Sequence, residues 1–361
     1  MARMIGRNRP TLGFIAKKLD ISIATVSRAL QDHPALTEET KARVIKIAKE
    51  VGYTPNLAAR YLVSKRGLRI AVNTPHQISS VYDFVRQGIR DEAKPLAGIG
   101  LTLVDYTFPH LGKGQRKAFE KALADEVDGI IVVPGDPETL RTGFTQARKQ
   151  KVPIVCLLTE SPLVGKISTV AVNATSCGAL AGELMARLLP SKCSVAVTLG
   201  DLKVTDHKEK FESFQSTIQM QSTSIRVHHA IENHESISEA YEKTLIFLKK
   251  YPELKGLYIS TGNGVPVLQA AKDAGMMGKI NILGTNLYDE VIHRIREGDV
   301  LGTFYERPYS HGRIALRLLY EYLTVGTAPP SRIALEPLLV MRGNLDSFVR
   351  EEEMLQLLPQ K

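Results

Sequence analysis

Two short amphipathic segments near the amino terminus constrain the fold of this chain more than any other feature. In the first, Thr11–Leu19, apolar residues recur at helical spacing, and Thr11 can cap the helix. A tight break follows, and Ser22 can cap a second helix, Ser22–Leu30, with Thr37 capping a third. Two short helices joined by such a turn are typical of a helix-turn-helix, whose second helix fits the major groove of DNA.

The outward face of the second helix has side chains that suit a DNA groove. Arg28 could donate two hydrogen bonds to a guanine, and the small or apolar residues beside it permit close approach and contact with thymine methyl groups. These neighbours are Ile23, Ala24, Thr25 and Ser27. On spacing alone, the alternative is a plain three-helix bundle that does not bind DNA.

The distribution of charge favours DNA binding. Residues 1–66 contain 13 Lys and Arg against 5 Asp and Glu, a net charge of +8, whereas the whole chain carries +9. The other 295 residues therefore contribute only +1. A basic segment on a nearly neutral body is the pattern expected of a protein that binds the phosphate backbone.

The segments IAKKLDISIATVSRAL and EETKARVIKIAKEVGYTPNLAARYL resemble the DNA-binding headpiece of the lactose/galactose-repressor (LacI/GalR) family of bacterial regulators. The resemblance runs over about 50 residues. It implies that Ile23, Ala24 and Arg28 contact bases. It also implies that Thr11, Thr25, Ser27 and Asn56 contact phosphates. Ser22 and Ala59 complete the predicted DNA interface.

Residues 55–63 match the hinge helix of the same family, which folds on operator DNA. The resemblance places Leu62 where two protomers each insert a leucine into the minor groove and kink it. An apolar wedge beside Arg60 and Lys65 is also what minor-groove kinking requires. Ordinary packing of a linker helix is the alternative for Leu62.

Composition sets wider limits. With 361 residues, 43% hydrophobic and 24% charged, the chain is long enough for two or three globular domains. The sequence has no apolar run of membrane-spanning length, and the amino terminus lacks the apolar core of a signal peptide. Three cysteines, an odd number without a CxxC motif, favour reduced thiols. We expect a cytoplasmic location.

After a short linker, apolar segments alternate with amphipathic helices, which predicts parallel doubly wound sheets. Two such lobes fit the periplasmic-binding-protein-like sensor of the same family. The predicted strands of the first are Arg69–Val72, Leu101–Tyr106, Asp128–Val133, Pro153–Leu158 and Ser168–Val172. Those of the later part are Ser194–Leu199, Ser224–His229, Gly256–Ile259, Asn281–Gly284 and Thr303–Tyr305.

The predicted fold class is thus an all-α helix-turn-helix headpiece with a hinge helix, followed by a two-lobed α/β sensor. The family's chain crosses three times between lobes, here near Ala171–Asn173, Leu301–Thr303 and Pro330–Arg332. The predicted bounds are 1–54 for the headpiece, 55–67 for hinge and linker, 68–349 for the effector-binding and dimerisation domain, and 350–361 for a tail. Within the sensor, lobe 1 comprises 68–171 and 302–330, and lobe 2 comprises 172–301 and 331–349.

The expected ligand site is the cleft between the lobes, because ligands of open α/β sheets bind beyond the strand carboxyl ends. At three places where the family commonly has Asp-Asn, Arg and Asp, this chain has Asn173-Ala174, Lys210 and Asn286. Fewer acids beside Lys210 favour a sugar-like effector, with a sugar acid or sugar phosphate favoured more than for an average member; the alternative, of equal weight, is that these positions have diverged and the pocket is different or vestigial. The candidate effector contacts are His76, Tyr82, Asp136, Asn173, His207, Lys210, Asn263, Asn286, Tyr288 and Tyr309.

Other functions have little support. His228, His229 and His234 lack the spacing of a metal site, and no nucleophile-base pair indicates an enzyme, so we expect neither metal nor cofactor. The predicted function is a sequence-specific transcriptional regulator, a repressor, that binds operator DNA as a homodimer and responds to a small effector. A tetramer, a protein co-regulator in place of the effector, and a solute-binding sensor without DNA binding are the alternatives.

Overall fold

The computed structural model describes residues 11–30, 36–51, 67–111, 113–221 and 224–349. Asn56, Ala59 and Leu62 of the predicted DNA interface, the rest of the predicted hinge helix and the tail 350–361 lie outside these residues.

The headpiece contains three helices, α1 (Leu12–Leu19), α2 (Ile23–Leu30) and α3 (Glu38–Glu50). The predicted helix caps are confirmed: the side chains of Thr11, Ser22 and Thr37 accept hydrogen bonds from the backbone N–H groups of the first turn of α1, α2 and α3. Each helix contributes two fully buried residues to a small shared core, which comprises Ile15, Ala16, Val26, Ala29, Val44 and Ala48.

The sensor begins with a set of strands and helices that we call lobe 1. They are β1 (Arg69–Asn73), α4 (Ser79–Ala93), β2 (Thr102–Asp105), α5 (Gln115–Ala124), β3 (Gly129–Val132), α6 (Pro137–Lys149), β4 (Ile154–Leu158), β5 (Lys166–Val172), α12 (Pro308–Val325) and β12 (Arg332–Leu335). The six strands form one parallel sheet in the order β12-β5-β4-β3-β1-β2. The inner strands β1, β3 and β4 are buried because helices cover both sides of a parallel sheet, whereas the edge strands β2 and β12 are partly exposed.

Lobe 2 is built on a sheet in the order β13-β11-β10-β9-β6-β7, with β8 also paired to β6. It is parallel except for β13, which runs antiparallel to β11. Its elements are α7 (Ala174–Leu188), β6 (Cys193–Leu199), α8 (Thr205–Gln221), β7 (Ile225–Val227), β8 (Ile231–Glu232), α9 (Ile237–Lys250), β9 (Gly256–Ser260), α10 (Gly264–Asp273), β10 (Asn281–Thr285), α11 (Asp289–Glu297), β11 (Gly302–Tyr305) and β13 (Leu338–Met341). The predicted doubly wound architecture is confirmed in both lobes.

Two of the three predicted passages between lobes need correction. The first follows β5, as predicted, but the second follows β11 rather than preceding it, because β11 pairs with β10 and β13 in lobe 2. The third follows β12, because β12 pairs with β5 in lobe 1. Both strands have only four residues, and strands this short do not by themselves determine which sheet they join.

The three passages are hydrogen-bonded to one another. Asn173 Nδ2, at the first passage, donates to Glu336 Oε1, at the third, over 2.7 Å. Arg307 Nη2, at the second, donates to the backbone carbonyl of Glu336 over 3.1 Å. The connections therefore form one linked group on which the lobes meet.

Candidate functional site

The first candidate site is the exposed face of α2. Val26 and Ala29 pack into the headpiece core, and this packing turns Ile23, Ala24 and Arg28 outward. Ile23 is 56% exposed, a high value for a large apolar side chain. Exposed apolar and arginine side chains on one short helix are the arrangement predicted for contact with base edges.

The hydroxyl groups predicted to contact phosphates are the same groups that cap the helices. Thr11 Oγ1 accepts from Phe14 N over 3.2 Å, and Ser22 Oγ accepts from Thr25 N over 3.0 Å. The Ser22 and Thr25 hydroxyls also bond each other over 2.8 Å. Because a hydroxyl that accepts a bond can still donate its own hydrogen, capping is compatible with phosphate contact. Ser27 lies in α2, between the capped first turn and Arg28.

The second candidate site is a cavity of about 60 Å³ between the lobes of the sensor. It lies at or just beyond the carboxyl ends of β3, β4, β9, β10 and β11, which is where ligands bind in folds of this kind. Lobe 1 contributes Ile78, Val81, Tyr82, Leu111, Val133, Leu158 and Thr159; lobe 2 contributes Val204, Asp206, His207, Lys210, Glu235, Ser260, Thr261, Gly262, Thr285, Asn286 and Glu306.

A buried ammonium group lies at one side of this cavity. Lys210 is 3% exposed, and its Nζ is 2.7 Å from Asp206 Oδ2 and 2.5 Å from Glu306 Oε1. Burial alone would lower the pKa of Lys210, but the two carboxylates raise it well above the ordinary value. The lysine is therefore a permanent cation, and its charge is already compensated by two anions.

Asn286 holds Glu306 in place beside the lysine. Its Nδ2 donates to Glu306 Oε2 over 3.2 Å, and its Oδ1 accepts from the Glu306 backbone N–H over 3.0 Å. The backbone of Asn286 is itself bonded to Phe304 and Thr303 of β11. This amide thus positions a carboxylate, which a shorter or apolar residue could not do.

His207 and Glu235 form a second polar pair in the cavity wall, and both are uncharged over part of the neutral range. Burial, followed by the Lys210 charge, lowers the pKa of His207 to about 4. Burial raises the pKa of Glu235 to about 7. His207 Nδ1 lies 3.1 Å from Asp201 N and 3.3 Å from the Asp201 carbonyl oxygen, and its Nε2 lies 3.6 Å from Glu235 Oε1. This contact is neither an ion pair at neutral pH nor a hydrogen bond.

Close contacts between the lobes form part of the cavity wall. Asp206 N, at the start of α8, donates to Thr159 Oγ1 of lobe 1 over 3.1 Å. Ile78 of lobe 1 packs on Gly262 of lobe 2 so closely that a Cβ on the glycine would lie 2.6 Å from the isoleucine methyl. Ile78 adopts a left-handed backbone conformation (φ 57°), which is unfavourable for a β-branched residue.

Four of the predicted effector residues line the cavity: Tyr82, His207, Lys210 and Asn286. Tyr82 belongs to α4 of lobe 1, whereas the others belong to lobe 2. They come from segments far apart in the sequence, and the sheets bring them to one edge.

The other six lie elsewhere and have structural contacts or are exposed to solvent. His76 is exposed, and Asn263 is buried but does not line the cavity. The remaining four have specific roles: Asp136 caps α6, Asn173 caps α7 and bonds Glu336, Tyr288 packs against the Gly264 backbone, and Tyr309 donates to Asp91 over 3.1 Å. Their predicted contact with an effector therefore finds no geometric support.

The three acidic residues of the cavity, Asp206, Glu235 and Glu306, are absent from the predicted effector set. Glu306 was detectable, because it directly follows the buried strand β11, and polar residues at such strand ends are candidate ligands. Asp206 precedes Lys210 by one helical turn, a spacing that permits pairing. Glu235 follows the two-residue strand β8, which the sequence pattern did not reveal.

The histidines considered for a metal site are not gathered into one within the residues that the structure describes. Those residues contain no group of three or more His, Cys, Asp or Glu placed to hold a metal ion. The ring of His228 packs instead on Phe247 and Tyr251, with centroid distances of 5.2 and 4.4 Å. Within the same residues, no helix is long and apolar enough to cross a membrane.

Comparison with known proteins agrees with this architecture. Residues 70–328 match the family model for the periplasmic binding protein domain, and residues 11–56 match that for bacterial regulatory proteins of the lacI family. The chain is 23% identical to catabolite control protein A of Priestia megaterium over 335 residues, covering 90% of this chain and 96% of the relative. It is 26% identical to the ribose operon repressor of Halalkalibacterium halodurans over 270 residues, covering 74% and 76% respectively.

Among solved structures, the crystal structure of GanP, a glucose-galactose binding protein from Geobacillus stearothermophilus, superposes with a TM-score of 0.70. The two sequences are 22% identical, and the match covers 78% of this chain and 99% of GanP. At this level of identity the match shows that the two proteins share a fold.

Proposed function

The chain belongs to the periplasmic-binding-protein-domain family and has a headpiece of the lacI regulatory family, so it is a transcriptional regulator and not an enzyme; from this premise we propose how it acts. It is a cytoplasmic repressor whose operator affinity depends on a small polyhydroxy effector bound between the lobes. The observation that carries this proposal is the cavity at the strand ends, lined by carboxyl, amide, hydroxyl and imidazole groups from two lobes.

The headpiece supplies sequence recognition. With Ile23, Ala24 and Arg28 on the exposed face of α2, one headpiece contacts one half-site in the major groove. Two copies related by a twofold axis would contact a pseudo-palindromic operator, so we propose a homodimer on DNA. Asn56, Ala59 and Leu62 retain their proposed roles beside the DNA backbone and in the minor groove.

The contacts between the lobes indicate how the effector acts. The cavity is lined from both lobes, and the contacts Asp206–Thr159 and Ile78–Gly262 join the two lobes in its wall. An effector that occupies the cavity would change these contacts. The effector would thereby select a different lobe arrangement, and that selection alters DNA affinity.

The charges in the cavity do not support the anionic effector suggested by Lys210 and the missing family acids. Lys210 is already paired with Asp206 and Glu306, and Glu235 adds a third carboxyl group. A carboxylate or phosphate ligand would enter a region with more negative than positive groups. We therefore propose that the effector is not an anion.

A binding-site selection experiment tests the DNA-binding half of this proposal. Full-length protein is incubated with fragmented genomic DNA, the retained fragments are sequenced, and affinities for the recovered site are measured by fluorescence anisotropy. A pseudo-palindrome bound much more tightly than scrambled DNA is the expected result. Retention of fragments without a shared site would contradict it.

The effector half is tested on the recovered operator with a panel of neutral, amino and acidic sugars. A compound that changes operator affinity about tenfold supports the proposal. If no sugar changes it but a cell extract does so only with its proteins intact, a protein co-regulator replaces the effector.

A further inference from the structure

The carboxyl groups of the inter-lobe cavity can accept more hydrogen bonds than the protein itself donates to them. Three carboxyl groups, those of Asp206, Glu235 and Glu306, line the cavity together with one ammonium group, that of Lys210. The ammonium is bound between Asp206 Oδ2 and Glu306 Oε1. Glu306 is fully used, because its second oxygen accepts from Asn286.

Two buried carboxyl oxygens remain. Asp206 Oδ1 and Glu235 Oε1 have no hydrogen-bond partner among the residues that the structure describes, and the two side chains belong to residues 8% and 3% exposed. His207 Nε2 is the nearest recorded donor to Glu235 Oε1, but 3.6 Å is too long for a hydrogen bond. A buried acceptor without a donor costs about 1–3 kcal/mol, so its persistence in a cavity wall indicates a partner from outside the chain.

The position of Glu235 is enforced by its surroundings. Its carboxyl group fills the space beside Gly200, where a Cβ would lie 1.9 Å from Oε1. Its backbone is left-handed (φ 59°) and its N–H donates to Asn233 Oδ1 over 3.0 Å. The chain thus holds a carboxyl group at the cavity although burial makes that position unfavourable.

We propose that the effector of this site is an aminated polyol, a sugar-like molecule that carries a protonated amine, and that the unpartnered oxygens of Asp206 and Glu235 receive its ammonium group and adjacent hydroxyl. This inference rests on the function proposed above and specifies its ligand. The cavity already binds one ammonium in this way, that of Lys210, at ordinary charge-assisted distances.

Charge distinguishes this ligand from its uncharged and acidic counterparts. A neutral sugar could donate hydroxyl hydrogens to both oxygens but would leave three carboxyl groups facing one cation. A sugar acid would add a further negative charge. An ammonium brings the net charge of the occupied cavity closest to zero, and burial strengthens its attraction to the carboxylates.

The test compares matched sugars on full-length protein at neutral pH. For the gluco, galacto and manno configurations, the neutral hexose, the 2-amino-2-deoxyhexose and the hexuronic acid are titrated by calorimetry. In at least one configuration the amino sugar is expected to bind about tenfold or more tightly than its two counterparts. At about pH 6, where the free amine is already protonated, amino-sugar binding should also release protons, because a cation beside Glu235 favours its ionised form; repeating the titration at this pH in buffers of different ionisation enthalpy measures this.

Two variants connect the preference to the site. Glu235→Gln should reduce the amino-sugar preference about tenfold and abolish proton release, whereas Glu242→Gln, an exposed acid in the same lobe, should change neither. The proposal is overturned if a neutral sugar or sugar acid binds as tightly as the amine in every configuration, or if no amine binds at millimolar concentration. A neutral sugar that binds at least as tightly as every amino sugar and changes operator affinity would overturn this inference alone, whereas loss of specific operator binding without any sugar would overturn the proposed function.

Discussion

The headpiece and the inter-lobe cavity place their functional side chains in opposite ways. In the headpiece, Ile23 and Arg28 are exposed, and a separate set of apolar residues forms the core. In the cavity, Lys210 and Glu235 are nearly inaccessible. The ion pairs of Lys210 and the packing of Glu235 also hold the lobe together. Recognition and stability are therefore separable in the first site and combined in the second.

This difference has a physical origin in the two kinds of ligand. DNA is large and approaches a convex surface, so its contacts can be exposed until binding. A small effector must be surrounded, so its contacts are buried and need partners when it is absent. Mutations of the exposed base-contact residues should consequently change binding but not stability, whereas mutations in the cavity should change both.

The largest expected effect is that of Lys210→Met. Removing the ammonium leaves Asp206 and Glu306 as buried carboxylates without their counterion, which should destabilise the sensor by about 3–5 kcal/mol. Urea unfolding followed by circular dichroism measures the loss. Lys208→Met is the control, because that side chain is exposed on the same helix and its pair with Glu212 is at the surface. Equal stability of the two variants would contradict the combined role assigned to the cavity.

Glu235→Gln should have the next largest effect, and it should depend on pH. The folded protein keeps the Glu235 proton up to about pH 7, whereas an ordinary carboxyl group loses it near 4.5. Wild-type stability should therefore fall relative to the variant as pH rises from about 4.5 to 7, by up to about 3 kcal/mol.

The neighbouring His207 acts with the opposite sign but does not disturb this test. Its pKa is lowered from 6.5 to about 4, so its contribution to stability is lost as pH falls through that range. Because wild type and variant share it, the contribution cancels in their difference. Unfolding midpoints across pH 4–8 give the comparison, with Glu242→Gln expected to follow wild type; a difference independent of pH would refute the assignment.

Arg28→Ala sharpens the headpiece side of the comparison. It should cost about 1–3 kcal/mol in operator binding at one base position, with little change on scrambled DNA. Its stability should stay within about 0.5 kcal/mol of wild type, because the side chain is exposed. Anisotropy titrations and urea unfolding are measured together, with Arg43→Ala on α3 as a control for charge alone. Equal losses on both DNAs would remove Arg28 from base recognition.

Ser22→Ala is expected to have the smallest effect and to stay local. Loss of the cap on α2 should cost about 1 kcal/mol. Amide hydrogen exchange should accelerate at Thr25, whose N–H donates to Ser22, and remain unchanged at Ala240 in the sensor. Protection of Thr25 that survives the substitution would show that the cap is dispensable.

The same contrast explains what could be predicted from sequence. The headpiece depends on short-range rules, so helix spacing and the caps at Thr11, Ser22 and Thr37 were sufficient to predict its three helices. The alternation of strands and helices likewise predicted both doubly wound lobes. Local patterns could not decide which lobe the four-residue strands β11 and β12 join: β11 continues the sheet of the preceding strand β10, whereas β12 pairs with β5, far earlier in the chain.

The cavity was predicted in location but only in part in composition. Strand-end position indicated the cleft, and Tyr82, His207, Lys210 and Asn286 do line it. However, side-chain chemistry alone suggested an anion site at Lys210, since the carboxylates of Asp206 and Glu306 become its neighbours only after folding. Asn286 illustrates the same limit: predicted as an effector contact, it is engaged in holding Glu306.

Glu306 is also the last residue before the second passage between the lobes, next to Arg307, which is bonded to the third passage. A ligand that draws Glu306 away from Lys210 would thus exert its pull close to the pivot of the two lobes. Displacements grow with distance from a pivot, so a slight rotation there moves the outer ends of the lobes furthest. The carboxylate therefore lies next to the hinge between the lobes, and a small molecule that binds there can use its binding energy to rotate one lobe relative to the other.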